Sequence, residues 1–317
     1  MLGPRPTEPP GGATDVPFAG LPAGPDARLT WAPAKVNLFL EVLGKRPDGY
    51  HEVQTLILAV DLFDTLEVRD DETGRLSLEC DPPGLPTGAD NLVYQAADAL
   101  RRAAGLTRGA GVRLTKRVPA QAGLGGGSSN AAAAIAALDA VWKLGLSCGD
   151  LLAVAATVGS DVGFFLTPPA GWCTGRGEQV EPVPVGRSLD LVIVKPPVGL
   201  PTADVYRRVR VSERPHSGEA VRDALRVGDP KSVADALFNR LQEAAFAAAP
   251  EVERVYRRLA ACEPLGCLVS GSGSSVFAVC RDRADADRVA GRYRDADRDE
   301  PRTSLVYTVR SYWPSPR

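Results

Sequence analysis

The sequence predicts an α+β fold, and three observations carry that expectation. From about Leu29 to Val118, short apolar and β-branched runs alternate with turn residues around a single helical stretch, the layout of an antiparallel sheet with helices on one side. An alanine-rich helix then follows a run of glycines. After a Gly- and Pro-rich break between Trp172 and Ser188, a second set of elements opens on an apolar strand and closes with a hairpin, a helix and a strand.

In order, residues 1–28 are rich in Pro and Gly, lack periodicity and hold no continuous apolar run, so a disordered extension is expected there. Val36 to Leu43 reads as a strand, Pro47-Asp48-Gly49 as a turn and Tyr50 to Val60 as the returning strand. Thr65–Arg69 and Arg75–Cys80 predict a hairpin around the polar segment 70–74. Asp90 or Asn91 caps a helix that runs to Ala104 and stops at Gly105, and Val112 to Val118 is a strand. The alanine-rich helix spans Ser129–Leu144, its small side chains suited to close packing. Ser147 and Asp150 form a capping box for the next helix, which ends at Gly159, a candidate left-handed C-terminal glycine. Past the break come the strand Leu189–Val194 and an amphipathic stretch from Lys231 to Ala261 interrupted at Pro250. A hairpin Cys267–Cys280 around Gly271-Ser272-Gly273-Ser274, a helix from Ala284 and a strand Ser304–Arg310 complete the chain, which shows no internal repeat.

The stretch Gly123-Leu124-Gly125-Gly126-Gly127-Ser128-Ser129-Asn130 stands out. Bare backbone feeding a helix N-terminus offers free N–H groups and a partial positive charge, a natural seat for a phosphate. A plain helix cap at Ser128 or Ser129 does not need four glycines. A Walker A loop requires Gly-Lys-Ser/Thr, and no lysine follows Gly127. A dinucleotide fingerprint requires a third glycine where Ser128 stands and an acid closing a second strand, whereas Gly149-Asp150 opens a helix. A third kind of glycine-rich phosphate loop is called for.

Composition narrows the function. At 317 residues the chain can bury one large core or two ordinary ones. Its formal net charge of -2 and lack of a basic stripe with interleaved aromatics give no general attraction to nucleic acid or to an anionic membrane. No apolar run reaches the roughly 20 residues of a membrane span. Six scattered cysteines without CxxC spacing or neighbouring histidines read as reduced thiols of a cytoplasmic protein, with no dedicated metal site. Of two histidines, His216 reads as a loop residue without a role.

Pro33-Ala34-Lys35-Val36-Asn37-Leu38, the glycine loop with its Ser-Ser, and Gly271-Ser272-Gly273 resemble the three motifs of the GHMP kinase superfamily. Arg46-Pro47-Asp48-Gly49-Tyr50-His51 and Gly159-Ser160-Asp161-Val162 narrow the resemblance to those members that phosphorylate a diphosphocytidyl-methylerythritol. The resemblance runs from about Leu29 to the end, with one departure, Gly163, where the family more often has proline. It implies an ATP-binding N-terminal domain at 29–175, like domain 2 of ribosomal protein S5, and a ferredoxin-like C-terminal domain at 176–317.

By the same resemblance, Gly123, Leu124, Gly125, Gly126, Gly127, Ser128 and Ser129 hold the ATP triphosphate, with Asn91, Leu92 and Lys116 around adenine. Asp161 takes the proton of the acceptor's 2-hydroxyl, and Lys35 orients that hydroxyl, keeps Asp161 ionised and stabilises the transferred phosphoryl group. Asn37 lies beside the methylerythritol hydroxyls, Tyr50 and His51 meet the cytosine, and Tyr206 stacks on it. Mg2+ is expected with ATP, held chiefly by phosphate oxygens. The implied reaction belongs to non-mevalonate isoprenoid precursor synthesis, in a monomer or homodimer. Two alternatives stand beside it: a GHMP kinase with a homoserine or sugar acceptor, and a non-catalytic nucleotide-binding regulator on the same fold.

Overall fold

The computed structural model describes residues 21–24, 27–167, 169–300 and 303–312. In chain order the elements are β1 (Leu21–Gly24), β2 (Ala27–Lys45), β3 (His51–Asp71), β4 (Leu76–Asp81), α1 (Leu92–Ala103), β5 (Gly109–Thr115), α2 (Gly126–Trp142), α3 (Cys148–Val158), β6 (Ala170–Thr174) and β7 (Gln179–Pro182). The second half adds β8 (Asp190–Lys195), α4 (Thr202–Tyr206), α5 (Glu219–Val227), α6 (Pro230–Asp235), β9 (Phe238–Asn239), α7 (Gln242–Ala248), α8 (Pro250–Ala260), β10 (Gly266–Val269), β11 (Val276–Cys280), α9 (Arg283–Asp297) and β12 (Leu305–Arg310). The fold is α+β, as expected.

The first sheet runs β1-β2-β3-β5-β4, with β6 and β7 added along the N-terminal half of β3 and β9 beside β2. Three sequence expectations change here. Residues 21–24 and 27–28, assigned to the disordered extension, lie in strands β1 and β2; residues 1–20 fall outside the described residues. The two strands expected at 50–60 and 65–69 are one 21-residue strand. The 65–69/75–80 hairpin does not form: β5 inserts between β3 and β4, pairing antiparallel with β3 and parallel with β4. A β4-α1-β5 crossover is what a parallel pair requires, and the composition of the 70–74 turn could not reveal it. The first sheet also extends through β7, beyond residue 175.

The second sheet is antiparallel in the order β10-β11-β8-β12. Numbered within this half, the strand order is 2-3-1-4, the ferredoxin-like arrangement that the family resemblance implied. The predicted stretch 231–261 divides further than Pro250 alone suggests, into α6, β9, α7 and α8, because Phe238 and Asn239 pair parallel with Phe39 and Leu40.

Helix α2 is buried nearly all round, Ala131 to Leu138 being closed off from solvent, and it packs on α1 and on the sheet. Alanines make such close approach possible, and Trp142 Nε1 pins the helix end to Gly109 O at 3.1 Å. Asn91 rather than Asp90 caps α1, and the Ser147/Asp150 capping box of α3 is present. Gly159 follows α3 at φ 178°, extended rather than left-handed.

Candidate active site

A cleft of about 1060 Å3 opens along the glycine loop and runs to the β2–β3 turn, lined from both halves of the chain. Its volume exceeds that of an ordinary single-ligand site, which suits two substrates side by side.

Lys35 and Asn37 sit two apart on β2 and therefore share a face. Register shifts between Pro33 and Ala34 and between Asn37 and Phe39 bracket the pair, and such bulges re-aim side chains. Lys35 is 4% exposed. Its Nζ donates to Asn37 Oδ1 at 2.6 Å and lies 3.7 Å from Asp161 Oδ2. Asn37 Nδ2 donates to Thr55 Oγ1 at 2.8 Å, and Thr55 Oγ1 donates to Phe39 O at 2.6 Å, so the amide is oriented from both sides. Burial pushes the Lys35 pKa below the ordinary lysine value, against the opposing pull of Asp161 and Cys173. Asp161 occupies the turn between α3 and the short 3-10 helix Gly163–Leu166, partly open to the cleft.

The glycine loop is built against this pair. Lys35 N donates to Leu124 O at 3.0 Å. Helix α2 begins at Gly126, earlier than the expected Ser129, and its cap is Gly125 at φ +67° with no side-chain cap. A Cβ on Gly125 would stand 2.9 Å from Lys35 Cγ and 3.0 Å from Phe165 Cζ, so only glycine lets the loop lie on the lysine. Gly126, Gly127 and Ser128 face the cleft from the first helical turn, where amides have no intrahelical partner. Ser129 points away: it is buried, off the cleft wall, and its Oγ is without a hydrogen-bond partner among the described residues. The late Gly-Ser-Gly segment closes over the loop, with Ser270 Oγ donating to Gly123 O at 2.9 Å and Ser275 N to Ala122 O at 3.0 Å.

Of the three residues expected around adenine, Leu92 lines the cleft with its side chain uncommitted to polar work. The Asn91 amide accepts from Val93 N and donates to Pro86 O. The Lys116 ammonium lies beneath the loop, paired with buried Asp64 and donating to Asn130 Oδ1 at 3.1 Å. At the far end His51 and Tyr206 pack ring to ring at 5.1 Å, and Arg176 lies over the half-exposed Tyr50 ring at 4.9 Å. Burial, then the nearby Asp161 carboxylate, raises the Tyr206 phenol pKa, and burial followed by Lys45 lowers that of His51. Lys35, Asn37, Tyr50, His51, Asp161, Tyr206 and the loop residues Gly123 to Ser128 thus share one cleft.

The GHMP kinases N terminal domain family model matches residues 91–168, and the GHMP kinases C terminal model matches 221–299. The 4-diphosphocytidyl-2-C-methyl-D-erythritol kinase of Pelotomaculum thermopropionicum is 44% identical over 269 residues, covering 84% of this chain and 93% of its own length. The chain belongs to the 4-diphosphocytidyl-2-C-methyl-D-erythritol kinase family. A crystal structure of a 4-(cytidine 5'-diphospho)-2C-methyl-D-erythritol kinase superposes at TM-score 0.73 with 35% identity, over 90% of this chain and 100% of that one. A homoserine kinase from Cytophaga hutchinsonii superposes at 0.72 with 21% identity, over 92% and 96%, and shares the fold. Like its family, the chain is a small-molecule kinase with ATP as co-substrate.

Within this family frame, sequence reasoning missed several members of the cleft's framework. Asp64, fully buried, accepts from Arg117 N at 2.6 Å, Val118 N at 2.8 Å and Asn130 Nδ2 at 2.8 Å besides holding Lys116. Asn130, the last residue of the glycine stretch, was the available signal; Asp64, 66 positions earlier in the chain, gave none. His216, read as without a role, stacks on Phe238 at 3.9 Å, and its N–H donates to Glu41 Oε2 at 2.8 Å. Gly271, at φ +56°, has its would-be Cβ 3.3 Å from Lys35 Nζ, which explains a glycine at that point of the third motif.

Proposed function

We infer that this chain phosphorylates the 2-hydroxyl of 4-diphosphocytidyl-2-C-methyl-D-erythritol with ATP, giving the 2-phosphate and ADP, a step of non-mevalonate isoprenoid precursor synthesis. The observation that carries the assignment of roles is the Lys35–Asp161 pair, 3.7 Å apart, set between the glycine loop and the His51–Tyr206 ring pair.

In this reading the amides of Gly123 to Ser128 hold the triphosphate, aided by the helix dipole of α2. The acceptor hydroxyl lies against Asp161, its oxygen attacks the γ-phosphorus, and the bond to the β,γ-bridging oxygen breaks to release ADP. The hydroxyl proton passes to Asp161. Lys35, held by Asn37, which Thr55 orients in turn, lies against both the carboxylate and the forming phosphate, where negative charge accumulates. Tyr50, His51 and Tyr206 bind the cytosine, and Asn37 faces the methylerythritol hydroxyls. Adenine lies near Asn91 and Leu92, and Lys116 supports the loop from below through Asp64.

Among the described residues no group of three His, Cys, Asp or Glu side chains converges. The oxygen donors facing the cleft near the loop, Ser128 and Asp161, fit an Mg2+ held mainly by phosphate oxygens. Such an ion neutralises charge on the triphosphate. One chain lines the whole cleft, which supports catalysis by a monomer or by each protomer of a homodimer. Six free thiols support a cytoplasmic setting.

A coupled ADP-release assay across an acceptor panel containing diphosphocytidyl-methylerythritol and homoserine tests the reading. Turnover is expected with the first alone, and Asp161→Asn is expected to lower kcat by roughly 100-fold or more. Equal turnover with homoserine would sink the acceptor assignment; full activity in the Asn variant would remove Asp161 as the base.

A further inference from the structure

Lys35 Nζ has two acceptors beside it and lies closer to the uncharged one. Asn37 Oδ1 is 2.6 Å away, Asp161 Oδ2 3.7 Å. A charged pair free to close shortens to about 2.7–2.9 Å, and a buried setting strengthens the attraction. The hydrogen bonds behind Asn37 explain why this pair stays open.

A lysine ammonium only donates, so Asn37 must turn Oδ1 toward it and Nδ2 away. Nδ2 donates to Thr55 Oγ1 at 2.8 Å. The single Thr55 hydroxyl proton goes to Phe39 O at 2.6 Å, a backbone group that only accepts. Both ends of this row have one role each, and the direction of every bond between them is thereby fixed. Asn37 is 3% exposed and Thr55 4%, which leaves little room for water to substitute. Gly271 closes the other side of the contact, its would-be Cβ 3.1 Å from Asn37 Oδ1 and 3.3 Å from Lys35 Nζ. Cys173 stands opposite Thr55 in the β3–β6 register. Burial, then the nearby Asp161 carboxylate, pushes its thiol well above the ordinary range, so it offers Lys35 no competing anion.

We propose that Thr55 is a positioning residue for the transfer inferred above: by fixing the polarity of the Asn37 amide, it holds the Lys35 ammonium short of a closed ion pair with Asp161. The proposal rests on that reading of Lys35 and Asp161. In a closed pair, the carboxylate oxygen that receives the acceptor's proton and the ammonium hydrogens that meet the phosphoryl group would be turned on each other. The open pair leaves both available. Without the Thr55 hydroxyl, buried Nδ2 loses its acceptor, the amide turns, and Lys35 moves onto Asp161.

The test uses the full chain and the variants Thr55→Val, Thr55→Ser, Asn37→Ala and the Asn37→Ala/Thr55→Val double variant, with thermal melts to verify folding. In the ADP-release assay Thr55→Val is expected to lower kcat about tenfold or more, while the KM for ATP changes less than about twofold. Thr55→Ser keeps the hydroxyl and is expected to stay within about threefold of wild type. In the Asn37→Ala background, adding Thr55→Val is expected to lower kcat by less than about twofold, because the group it acts through is gone. Wild-type kcat in folded Thr55→Val would overturn the proposal. So would losses that multiply in full in the double variant, or a Ser variant as slow as the Val one, which would make Thr55 a packing residue. Should the Val variant not fold, Thr55→Ala makes the same comparison with no methyl against Asn37. If wild type turns over the acceptor and Asp161→Asn is impaired while Thr55→Val is not, the proposal falls and the assigned roles stand. An inactive wild type, or a fully active Asp161→Asn, removes both.

Discussion

At Lys35, burial works against the charge that phosphoryl transfer needs. Desolvation lowers its pKa below the ordinary lysine value, while Asp161 pulls it back up. Between that lowered value and the unfolded one, the unfolded chain binds the extra proton, so this lysine costs stability at neutral pH and the cost fades as pH rises. Two outcomes follow for one residue. Lys35→Met is expected to match or exceed the parent in denaturant midpoint at pH 7 while losing ADP release by roughly a thousandfold. The alkaline limb of the wild-type kcat/KM profile is expected to fall below the ordinary lysine range, and in Lys35→Arg whatever activity remains is expected to lack that limb. A pH–rate profile of both proteins checks it.

At the scale of elements, the glycine-bearing turns divide into those that must be glycine and those that need not. Gly123 has φ +73°, and its would-be Cβ falls 2.0 Å from Ser270 O, a backbone atom. Gly123→Ala is expected to cost roughly 2 kcal/mol or more and to weaken ATP binding, read by denaturant unfolding and nucleotide titration. Gly163, the departure from the family pattern, differs: its would-be Cβ meets Leu152 at an ordinary 3.5 Å, and its φ is not left-handed. Gly163→Ala is expected to be neutral or to stabilise by up to about 1 kcal/mol, with activity retained. Local chemistry made much of this legible. The capping box, the 47–49 turn, the 267–280 hairpin and the glycine loop could be read because each depends on residues within a few positions. What was not legible depends on partners far along the chain. The strand β5 that separates β3 from β4 is one case, and Asp64 beneath the loop is another. The expected helix start at Ser129 was late for a third reason: a left-handed Gly125 starts the helix sooner than any side-chain cap could.

Across the whole molecule, one buried carboxylate ties the halves together. Glu41 on β2 is closed off from solvent and receives Arg240 through Nε at 2.7 Å and Nη2 at 2.8 Å, besides the amides of Val42 and His216. Burial alone would raise its pKa; the hydrogen bonds from Arg240, His216 and Val42 and the Arg240 charge outweigh it and hold the value below that of an ordinary glutamate. The clamp's stabilisation is therefore complete above the unfolded glutamate pKa and is lost as pH falls toward the folded one. Arg240→Met leaves the carboxylate buried without its cation, at an expected cost of about 3 kcal/mol. Its acid-unfolding midpoint is expected at higher pH than the parent's, as followed by circular dichroism.

The seam between the glycine loop and the Ser270–Ser275 segment has a consequence for how the enzyme senses its donor. Loop carbonyls at Ala122 and Gly123 are the acceptors for the second half of the chain, so the surface proposed to grip the triphosphate is also a structural joint. A nucleotide that settles the loop would thereby also settle the ferredoxin-like half joined to it. Binding free energy is then distributed as resistance to unfolding across both halves, roughly 2.7 kcal/mol when ATP stands at a hundred times its dissociation constant. The two domains would melt as one body, and the cell's ATP would act as a folding partner for the whole chain.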